Sequence, residues 1–239
     1  MTPFMNLSGK RILLLGGTSE IGREIALNAL ELGAAVSGIV RKNPGDLGYP
    51  VHILDLLDAQ QVQQYVSTIE SPLDGLVFSV GEFVRAPLSL LTPELIQRAI
   101  DVNINTLIVM LRALVVARRL RRGASVVLIS SISAYLGVRG IAPYTMAKAA
   151  LVALGRVLSN DLMRHGIRVN SVSPAMVRTR MSCGSPGEQQ WLDQFGKERY
   201  PLGVGHPIDV AGPVLFLLAD DAKAINGTDI ILSGGAIRT

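Results

Sequence analysis

A tyrosine and a lysine stand four positions apart in the segment YTMAK, as Tyr144 and Lys148. The surrounding residues have helical spacing, which predicts that both side chains share one face of a helix, about one turn apart. A phenol has a pKa of about 10, but a neighbouring ammonium favours the phenolate and lowers that pKa. The pair can therefore move a proton. Any amphipathic helix can also carry this pair by chance, so the spacing alone is a weak signal.

A serine thirteen residues earlier, Ser131, closes the predicted strand SVVLISS. A hydroxyl at the carboxyl end of a strand emerges where parallel sheets bind ligands, and Tyr144 projects to the same edge if the next helix begins there. Ser131 and Tyr144 together can hold one carbonyl oxygen. The alternative is that Ser130 and Ser131 are only strand-end or capping hydroxyls. Asn103, taken alone, is best explained as a helix-interior amide bonded to nearby backbone.

The elements that must position these residues alternate along the chain. Short apolar runs predict strands at 11–17, 34–40, 51–54, 75–80, 125–130, 167–173 and 229–234. Apolar residues that recur three and four positions apart predict helices at 21–32, 60–69, 93–121, 144–165 and 208–219. Continuous apolar strands are usually covered on both faces, which indicates an α/β fold: one Rossmann-like, doubly wound parallel sheet with helices on both faces.

The first strand runs into a glycine turn, GGTSEIG, that opens a helix. A helix start offers backbone N–H groups and a positive dipole end to a phosphate, and Gly16 and Gly22 suit a tight turn and close packing. Thr18 and Ser19 can cap the helix or bind phosphate. A carboxylate at Glu20 is adverse to a pyrophosphate. The site survives if that side chain turns outward and loses affinity if it turns inward.

Composition favours one domain over two. The chain has 239 residues, 49% hydrophobic and 18% charged, which predicts a single domain spanning 1–239 with a mobile insertion near 178–200 over the ligand edge. A single cysteine excludes an internal disulfide, and no long apolar stretch precedes Lys10, so we expect a cytoplasmic protein. The most apolar helical stretch, 106–117, is too short to cross a bilayer, which takes about 20 residues.

The net charge of +4 is partly concentrated in the run ARRLRRG at 117–123. The simpler interpretation is a solvated helix end, with basic side chains at the negative end of the dipole and Gly123 after the last turn. The alternative is contact with an acidic partner. Nucleic acid is excluded as a partner because no second basic stretch or interleaved aromatic set accompanies the run.

Seven motifs in order resemble the short-chain dehydrogenase/reductase family over nearly the whole chain. They are the glycine turn at 16–22, Asp55 in ILDLLD, the Asp-Val-Asn of AIDVNIN that ends at Asn103, Ser131, the Tyr144–Lys148 pair, VNSVSPAMVRT at 169–179, and INGTDIILSGG at 225–235. The resemblance implies a catalytic tetrad of Asn103, Ser131, Tyr144 and Lys148. Ser131 would hold the carbonyl oxygen, Tyr144 would donate the proton, Lys148 would keep the phenol acidic and bind ribose, and Asn103 would hold a water.

The resemblance also implies a nicotinamide cofactor. Where relatives that prefer NAD carry an acidic residue after the second strand, this chain has Arg41 and Lys42, which favour the 2′-phosphate of NADP(H) over NAD(H). Asp55 would accept from the adenine amino group, or is simply a turn aspartate. The full implied set is Gly16, Thr18, Ser19, Ile21, Gly22, Arg41, Lys42, Asp55, Leu56, Gly81, Tyr144, Lys148, Pro174, Val177 and Thr179, with no metal ligand.

The chain departs from the family pattern at three places. Glu20 replaces the middle glycine, Phe78-Ser79-Val80-Gly81 replaces Asn-Asn-Ala-Gly, and Pro174-Ala175 replaces Pro-Gly. The nearest resemblance is to the 3-oxoacyl-[acyl-carrier-protein] reductase branch, which implies an NADP-dependent carbonyl reductase or alcohol dehydrogenase. In that interpretation the arginine run could meet an acidic carrier protein.

Two other functions remain open. The segment at 178–200 carries no diagnostic substrate pattern, so a sugar, polyol or secondary-metabolite hydroxyl is an alternative substrate. A non-catalytic nucleotide-binding protein is another, because fold alone does not secure activity. The family resemblance further implies a homotetramer or homodimer formed through the helices at 93–121 and 144–165. Burial inside one subunit explains the apolar faces of these helices equally well.

Overall fold

A seven-stranded parallel sheet forms the centre of the computed structural model, which describes residues 5–43, 45–183 and 186–237. The strands are β1 (Arg11–Leu15), β2 (Ala35–Val40), β3 (Val51–Ile53), β4 (Leu73–Phe78), β5 (Leu120–Ile129), β6 (Arg168–Pro174) and β7 (Asp229–Leu232). Their order is β3-β2-β1-β4-β5-β6-β7. The order reverses between β1 and β4, so the ligand crevice of the fold lies beyond the carboxyl ends of these two strands. The predicted fold class is confirmed.

Helices cover both faces of the sheet. They are α1 (Glu20–Glu31), α2 (Ala59–Thr68), α3 (Pro93–Ile100), α4 (Thr106–Val116), α5 (Ala142–Met163), α6 (Arg180–Cys183), α7 (Pro186–Arg199) and α8 (Pro207–Leu218). The alternation of side chains along β1 produces two cores. Leu13 and Leu15 belong to the cluster under α2, α4 and α5, whereas Ile12 and Leu14 belong to the cluster under α1 and α8.

The helix predicted at 93–121 ends earlier than expected. After α3, a π-helical turn at Asp101–Asn105 leads into α4, which ends at Val116. Arg118 takes a positive φ of 53°, and the N–H of Arg119 donates to the carbonyl of Leu114 at 2.8 Å, which closes the helix end. Leu120 is needed in β5, where it pairs with Leu73. Sheet pairing therefore overrides the helix propensity of the arginines.

The interpretation of the arginine run as a solvated helix end is wrong for most of its length. Leu120 and the residues after it lie in β5, and Gly123, with a φ of 92°, lies where the register between β4 and β5 shifts. The run thus sits at the amino end of β5. Arg121 pairs there with Asp74 at 3.1 Å.

The helical run Pro93–Val116 has 24 residues and a mean hydropathy of 1.8, which is long and apolar enough to cross a membrane by length and composition alone. The stretch at 106–117 is too short on its own, and it is the preceding part of the run, from Pro93, that gives it this length. In the fold, however, Leu107, Met110 and Leu114 are fully buried in the core of the sheet. The run is explained as a helix that covers a sheet.

The described residues of the segment 178–200 form two helices, α6 and α7, and the residues 184 and 185 of the predicted insertion lie outside the described ranges. The helix predicted near 188–195 lies within α7, which is confirmed. Leu192 and Tyr200 are buried, so this segment packs against the domain over the carboxyl edge of the sheet.

Candidate active site

Two neighbouring serines at the end of β5 have different tasks. The Ser130 hydroxyl donates to the carbonyl of Lys148 at 2.8 Å and thereby joins the strand end to α5. Ser131 caps a short 3₁₀ turn, accepting from the N–H of Ser133 at 3.2 Å, and also hydrogen-bonds with the side chain of Tyr144. Ser130 is therefore a strand-end hydroxyl with a structural role, whereas Ser131 both caps the turn and meets the phenol.

Lys148 is buried, 5% exposed, one helical turn after Tyr144. Its Nζ donates to the carbonyl of Ile129 at 2.9 Å and lies 5.7 Å from the centre of the Tyr144 ring. Burial lowers the pKa of Lys148 to about 8, because an ammonium is poorly solvated inside the protein.

The pKa of Tyr144 is shifted in the direction opposite to the one expected. Burial raises it, and the hydrogen bond with Ser131 opposes that rise. Loss of solvation outweighs stabilisation of the phenolate in this environment. A raised pKa keeps the phenol protonated at neutral pH, which is the state a proton donor requires.

Asn103 lies in the π-helical turn and is fully buried. Its Nδ2 donates to the carbonyl of Ala99 at 2.9 Å, and its Oδ1 accepts from the N–H of Glu82 at 3.2 Å. A β-carbon on Gly81 would lie 3.1 Å from this Oδ1 and 3.1 Å from Lys148 Nζ. The absence of a side chain at position 81 thus lets Asn103 approach Lys148. Single π-turns inside α-helices are frequent at functional sites.

The glycine turn after β1 is closely packed. Gly16 has a φ of 88°, and a β-carbon there would lie 2.6 Å from the carbonyl oxygen of Ser79. The Ser19 hydroxyl caps α1 by accepting from the N–H of Gly22 at 3.0 Å, and it lies 3.1 Å from the Ser79 hydroxyl. Ser79 therefore braces β4 against the turn at a position where the family carries asparagine. Thr18 is exposed and Ile21 is half-buried.

The Glu20 side chain extends toward the first turn of α6. Its Oε1 accepts from the N–H of Arg180 at 2.9 Å and lies 3.5 Å from Arg180 Nε. The sequence contained no signal for this contact, because it joins residues 160 positions apart.

The loop after β2 is fastened beneath the glycine turn. Arg41 and Lys42 are exposed at the end of β2. The Tyr49 hydroxyl donates to the carbonyl of Gly17 at 2.8 Å, and burial raises the pKa of Tyr49 to about 12. Sequence reasoning missed Tyr49, since no pattern distinguishes it from a surface tyrosine. This hydrogen bond thereby joins the loop after β2, at the adenosine end of the implied cofactor site, to the glycine turn at its phosphate end.

Asp55 follows β3 and is exposed, with its Oδ1 accepting from the N–H of Leu57 at 3.0 Å. Asp55 therefore acts as a turn aspartate through this oxygen, and its other carboxylate oxygen can accept from a ligand. Leu56 is buried beside it.

The end of β6 contributes the last implied cofactor residues. Pro174 closes β6, and Val177 is buried and bridges to Gly205. The N–H of Thr179 donates to the Ser182 hydroxyl at 3.1 Å just before α6. All three lie at the carboxyl edge of the sheet, together with the tetrad and the glycine turn.

A second residue that sequence reasoning missed is Phe83. Its ring meets that of Tyr144 edge to face, with centroids 5.0 Å apart, and the side chain is 40% exposed. Phe83 thus presents an exposed apolar ring beside the phenol. Across the residues that the structure describes, no cluster of three or more His, Cys, Asp or Glu could hold a metal ion.

The arrangement at this edge fits a dinucleotide, since the start of α1 offers backbone N–H donors to phosphates and the glycines let the turn pack closely against Ser79 and Tyr49. A family model described as Enoyl-(Acyl carrier protein) reductase matches residues 16–236, and its relatives are short-chain dehydrogenases/reductases. The chain belongs to the short-chain dehydrogenase/reductase family. It is an oxidoreductase that acts on CH–OH and C=O groups with an NAD(P)(H) cofactor.

Named members of the family differ in substrate. Carbonyl reductase [NADPH] 2 of Sus scrofa is 29% identical over 97% of this chain and 98% of its own. L-rhamnose 1-dehydrogenase (NAD(P)(+)) of a Sphingomonas species is 30% identical over 96% of both chains. The solved structure of Thermoplasma acidophilum aldohexose dehydrogenase has a TM-score of 0.89 at 25% identity, with 99% of each chain covered. These relatives include both reductases of carbonyls and dehydrogenases of sugars.

Proposed function

We propose that the protein is an NADP(H)-preferring carbonyl reductase or alcohol dehydrogenase whose catalytic residues are Asn103, Ser131, Tyr144 and Lys148. The observation that carries this proposal is the convergence of the four residues at one sheet edge. Ser131 hydrogen-bonds with Tyr144, and Lys148 lies near the Tyr144 ring. Gly81 lies close to both Lys148 and Asn103, since a β-carbon on it would be 3.1 Å from Lys148 Nζ and 3.1 Å from Asn103 Oδ1. A nicotinamide bound at this edge would supply or accept the hydride.

The chain's own residues handle the oxygen and the proton. The hydroxyls of Ser131 and Tyr144 orient a carbonyl oxygen, and Tyr144 donates its proton as the oxygen becomes an alcohol. Lys148, held by the Ile129 carbonyl, faces the phenol and would bind ribose hydroxyls. Asn103 keeps the Glu82 backbone in place beside Lys148 and would hold the water that returns the proton.

The preference for NADP(H) is supported by Arg41 and Lys42, which are exposed directly after β2. A guanidinium forms charge-assisted hydrogen bonds with a phosphate, and neither residue offers a carboxylate to ribose hydroxyls. The remaining cofactor contacts would come from the glycine turn, Asp55, Leu56, Gly81 and the residues from Pro174 to Thr179.

For the substrate we propose a carbonyl with an apolar neighbour, such as a 3-oxoacyl group or a hydrophobic ketone. The support is Phe83, whose half-exposed ring lies against Tyr144. A sugar or polyol is the second candidate, supported by the names of the rhamnose and aldohexose dehydrogenase relatives. A non-catalytic role is opposed by the assembled tetrad.

The arginine run cannot dock a carrier protein over this site. The run begins β5, whereas Ser131 follows its other end ten residues later, which at about 3.3 Å per residue is on the order of 30 Å away. If the substrate is carrier-bound, the carrier must contact the carboxyl edge instead.

A cytoplasmic homotetramer or homodimer remains our proposal for the assembly. Its support is an open groove of about 400 Å³ lined by Leu57, Asp101, Asn105, Ile108 and Val109 on the outer side of the 93–116 helical run. Sedimentation of the purified protein tests it.

The decisive test is nucleotide binding and turnover by the wild type and by Tyr144→Phe. We expect NADPH to bind more tightly than NADH, and the variant to retain binding while losing turnover across a panel of hydrophobic ketones, 3-oxoacyl thioesters and sugars. Tyr135→Phe is a matched control, because its hydroxyl donates instead to Asp229 at 2.8 Å. Normal turnover by Tyr144→Phe would remove it as proton donor, and failure of the wild type to bind either nucleotide would refute the whole proposal.

A further inference from the structure

The contact between Glu20 and Arg180 joins two parts of the cofactor edge. Glu20 is the first residue of α1, directly after the glycine turn, and Arg180 is the first residue of α6, directly after Thr179. The carboxylate accepts from the Arg180 N–H at 2.9 Å and faces its guanidinium at 3.5 Å. The pair therefore spans the edge between the glycine turn and the segment after β6.

The charges explain why a carboxylate is tolerated at this position. Alone, Glu20 would compete with a phosphate for the positive end of α1 and would repel it. Arg180 supplies a compensating positive charge. Its side chain is 83% exposed, whereas that of Glu20 is 37% exposed, so most of the guanidinium is open to solvent and accessible to a ligand. A guanidinium has five donors and can contact a carboxylate and a phosphate together.

We propose that Arg180 is a phosphate-binding residue for the dinucleotide and that Glu20 positions it over the glycine turn. The Glu20–Arg180 pair thus replaces the glycine that the family carries at position 20. The proposal rests on the proposed binding of a dinucleotide at this turn, and it adds a ligand contact outside the residues that the family motifs indicate.

A double-mutant cycle tests the proposal with Glu20→Gly, Arg180→Ala and the double variant, measuring dissociation constants for NADPH by its fluorescence. In the Glu20 background, loss of Arg180 leaves an unneutralised carboxylate beside the phosphates, and we expect about tenfold weaker binding, as for a lost charged hydrogen bond. In the Glu20→Gly background the guanidinium is no longer held in place and no carboxylate needs neutralising. Arg180→Ala should then weaken NADPH binding by about twofold or less. The difference between the two backgrounds is a coupling within the range for contacting residues.

The choice of ligand separates phosphate binding from a merely structural contact. ADP-ribose carries the pyrophosphate without nicotinamide or 2′-phosphate, and adenosine 2′-monophosphate lacks the pyrophosphate. We expect Arg180→Ala to weaken the binding of ADP-ribose as much as that of NADPH. The binding of adenosine 2′-monophosphate should be unchanged. Arg121→Ala is the matched control, since Arg121 pairs with Asp74 at the opposite edge and is 50% exposed; it should alter neither ligand.

Several outcomes overturn the proposal. Additive effects of the two substitutions would show that Glu20 and Arg180 do not act as a unit in binding. Equal weakening of the binding of ADP-ribose and adenosine 2′-monophosphate would reduce the pair to a brace between α1 and α6. If Glu20→Gly does not fold, Glu20→Gln replaces it and must show the same loss of coupling. A wild type that binds no dinucleotide refutes the proposed function as well, whereas a wild type that binds NADPH with an additive cycle refutes only the role of Arg180.

Discussion

Gly81 and Lys148 approach so closely that a β-carbon on the glycine would lie 3.1 Å from the lysine Nζ. The same β-carbon would press on Asn103 Oδ1, also at 3.1 Å. Because Lys148 and Asn103 are both buried and hydrogen-bonded to backbone, neither can move without losing a partner. The geometry of the proton-handling residues therefore depends on a position that has no side chain.

We predict that Gly81→Ala lowers kcat by about tenfold or more while the protein stays folded, since small misplacements at a catalytic group have large effects on rate. Gly212→Ala is the control, because a β-carbon there meets nothing within 4 Å. It should leave kcat unchanged and stabilise α8 slightly. Steady-state kinetics and thermal unfolding distinguish the two variants; unchanged kcat in Gly81→Ala would show that the lysine shifts freely.

The two serines after β5 should separate catalysis from stability. Ser131→Ala removes a hydroxyl that meets Tyr144, and we expect kcat to fall by about 10²-fold with little loss of stability. Ser130→Ala removes a buried hydrogen bond to the carbonyl of Lys148, which should cost about 0.5–1.5 kcal/mol of unfolding free energy, since that carbonyl keeps its donor within α5. Urea unfolding and kcat are measured for both. A catalytic defect confined to Ser130→Ala would reverse our assignment.

The lowered pKa of Lys148 makes stability depend on pH. In the unfolded chain this lysine has its ordinary pKa of 10.5, and in the fold about 8. Between these values the unfolded state binds more protons, so the free energy of unfolding should rise with pH from about 8 toward 10.5. Lys148→Met should lack that rise. Urea unfolding of the cofactor-free protein at several pH values tests this, with the exposed Lys223→Met as control; parallel curves for wild type and Lys148→Met would contradict it.

Cofactor choice should depend on Arg41 and Lys42. We expect Arg41→Ala to weaken NADPH by about tenfold, the cost of one lost phosphate contact, and to leave NADH within about twofold. Lys42→Ala should likewise weaken the binding of NADPH more than that of NADH. Arg118→Ala, at the amino edge of the sheet, is the control. Equal loss of both nucleotides would place Arg41 outside the 2′-phosphate site.

The parallel sheet could be predicted because it leaves local signals: apolar runs that alternate with stretches of helical spacing. The ordered motifs indicated which residues come together at the sheet edge, and their catalytic roles stay a prediction. The end of α4 at Val116 could not, because the arginines that follow favour a helix and only the pairing of Leu120 with Leu73 requires a strand. The pKa of Tyr144 was misjudged because charge proximity is visible in the sequence and burial is not. Glu20–Arg180 and Tyr49–Gly17 are contacts between distant segments, for which a single sequence holds no pattern.

The hydrogen bond from Tyr49 to Gly17 has a consequence for the cost of binding. The glycine turn would receive the pyrophosphate, and the loop that begins with Arg41 would receive the adenosine end of the same molecule. Since Tyr49 fastens that loop beneath the turn at 2.8 Å, the spacing between the two ends exists before the ligand arrives. The loop then has fewer conformations to give up, so less conformational entropy is lost when an elongated dinucleotide binds.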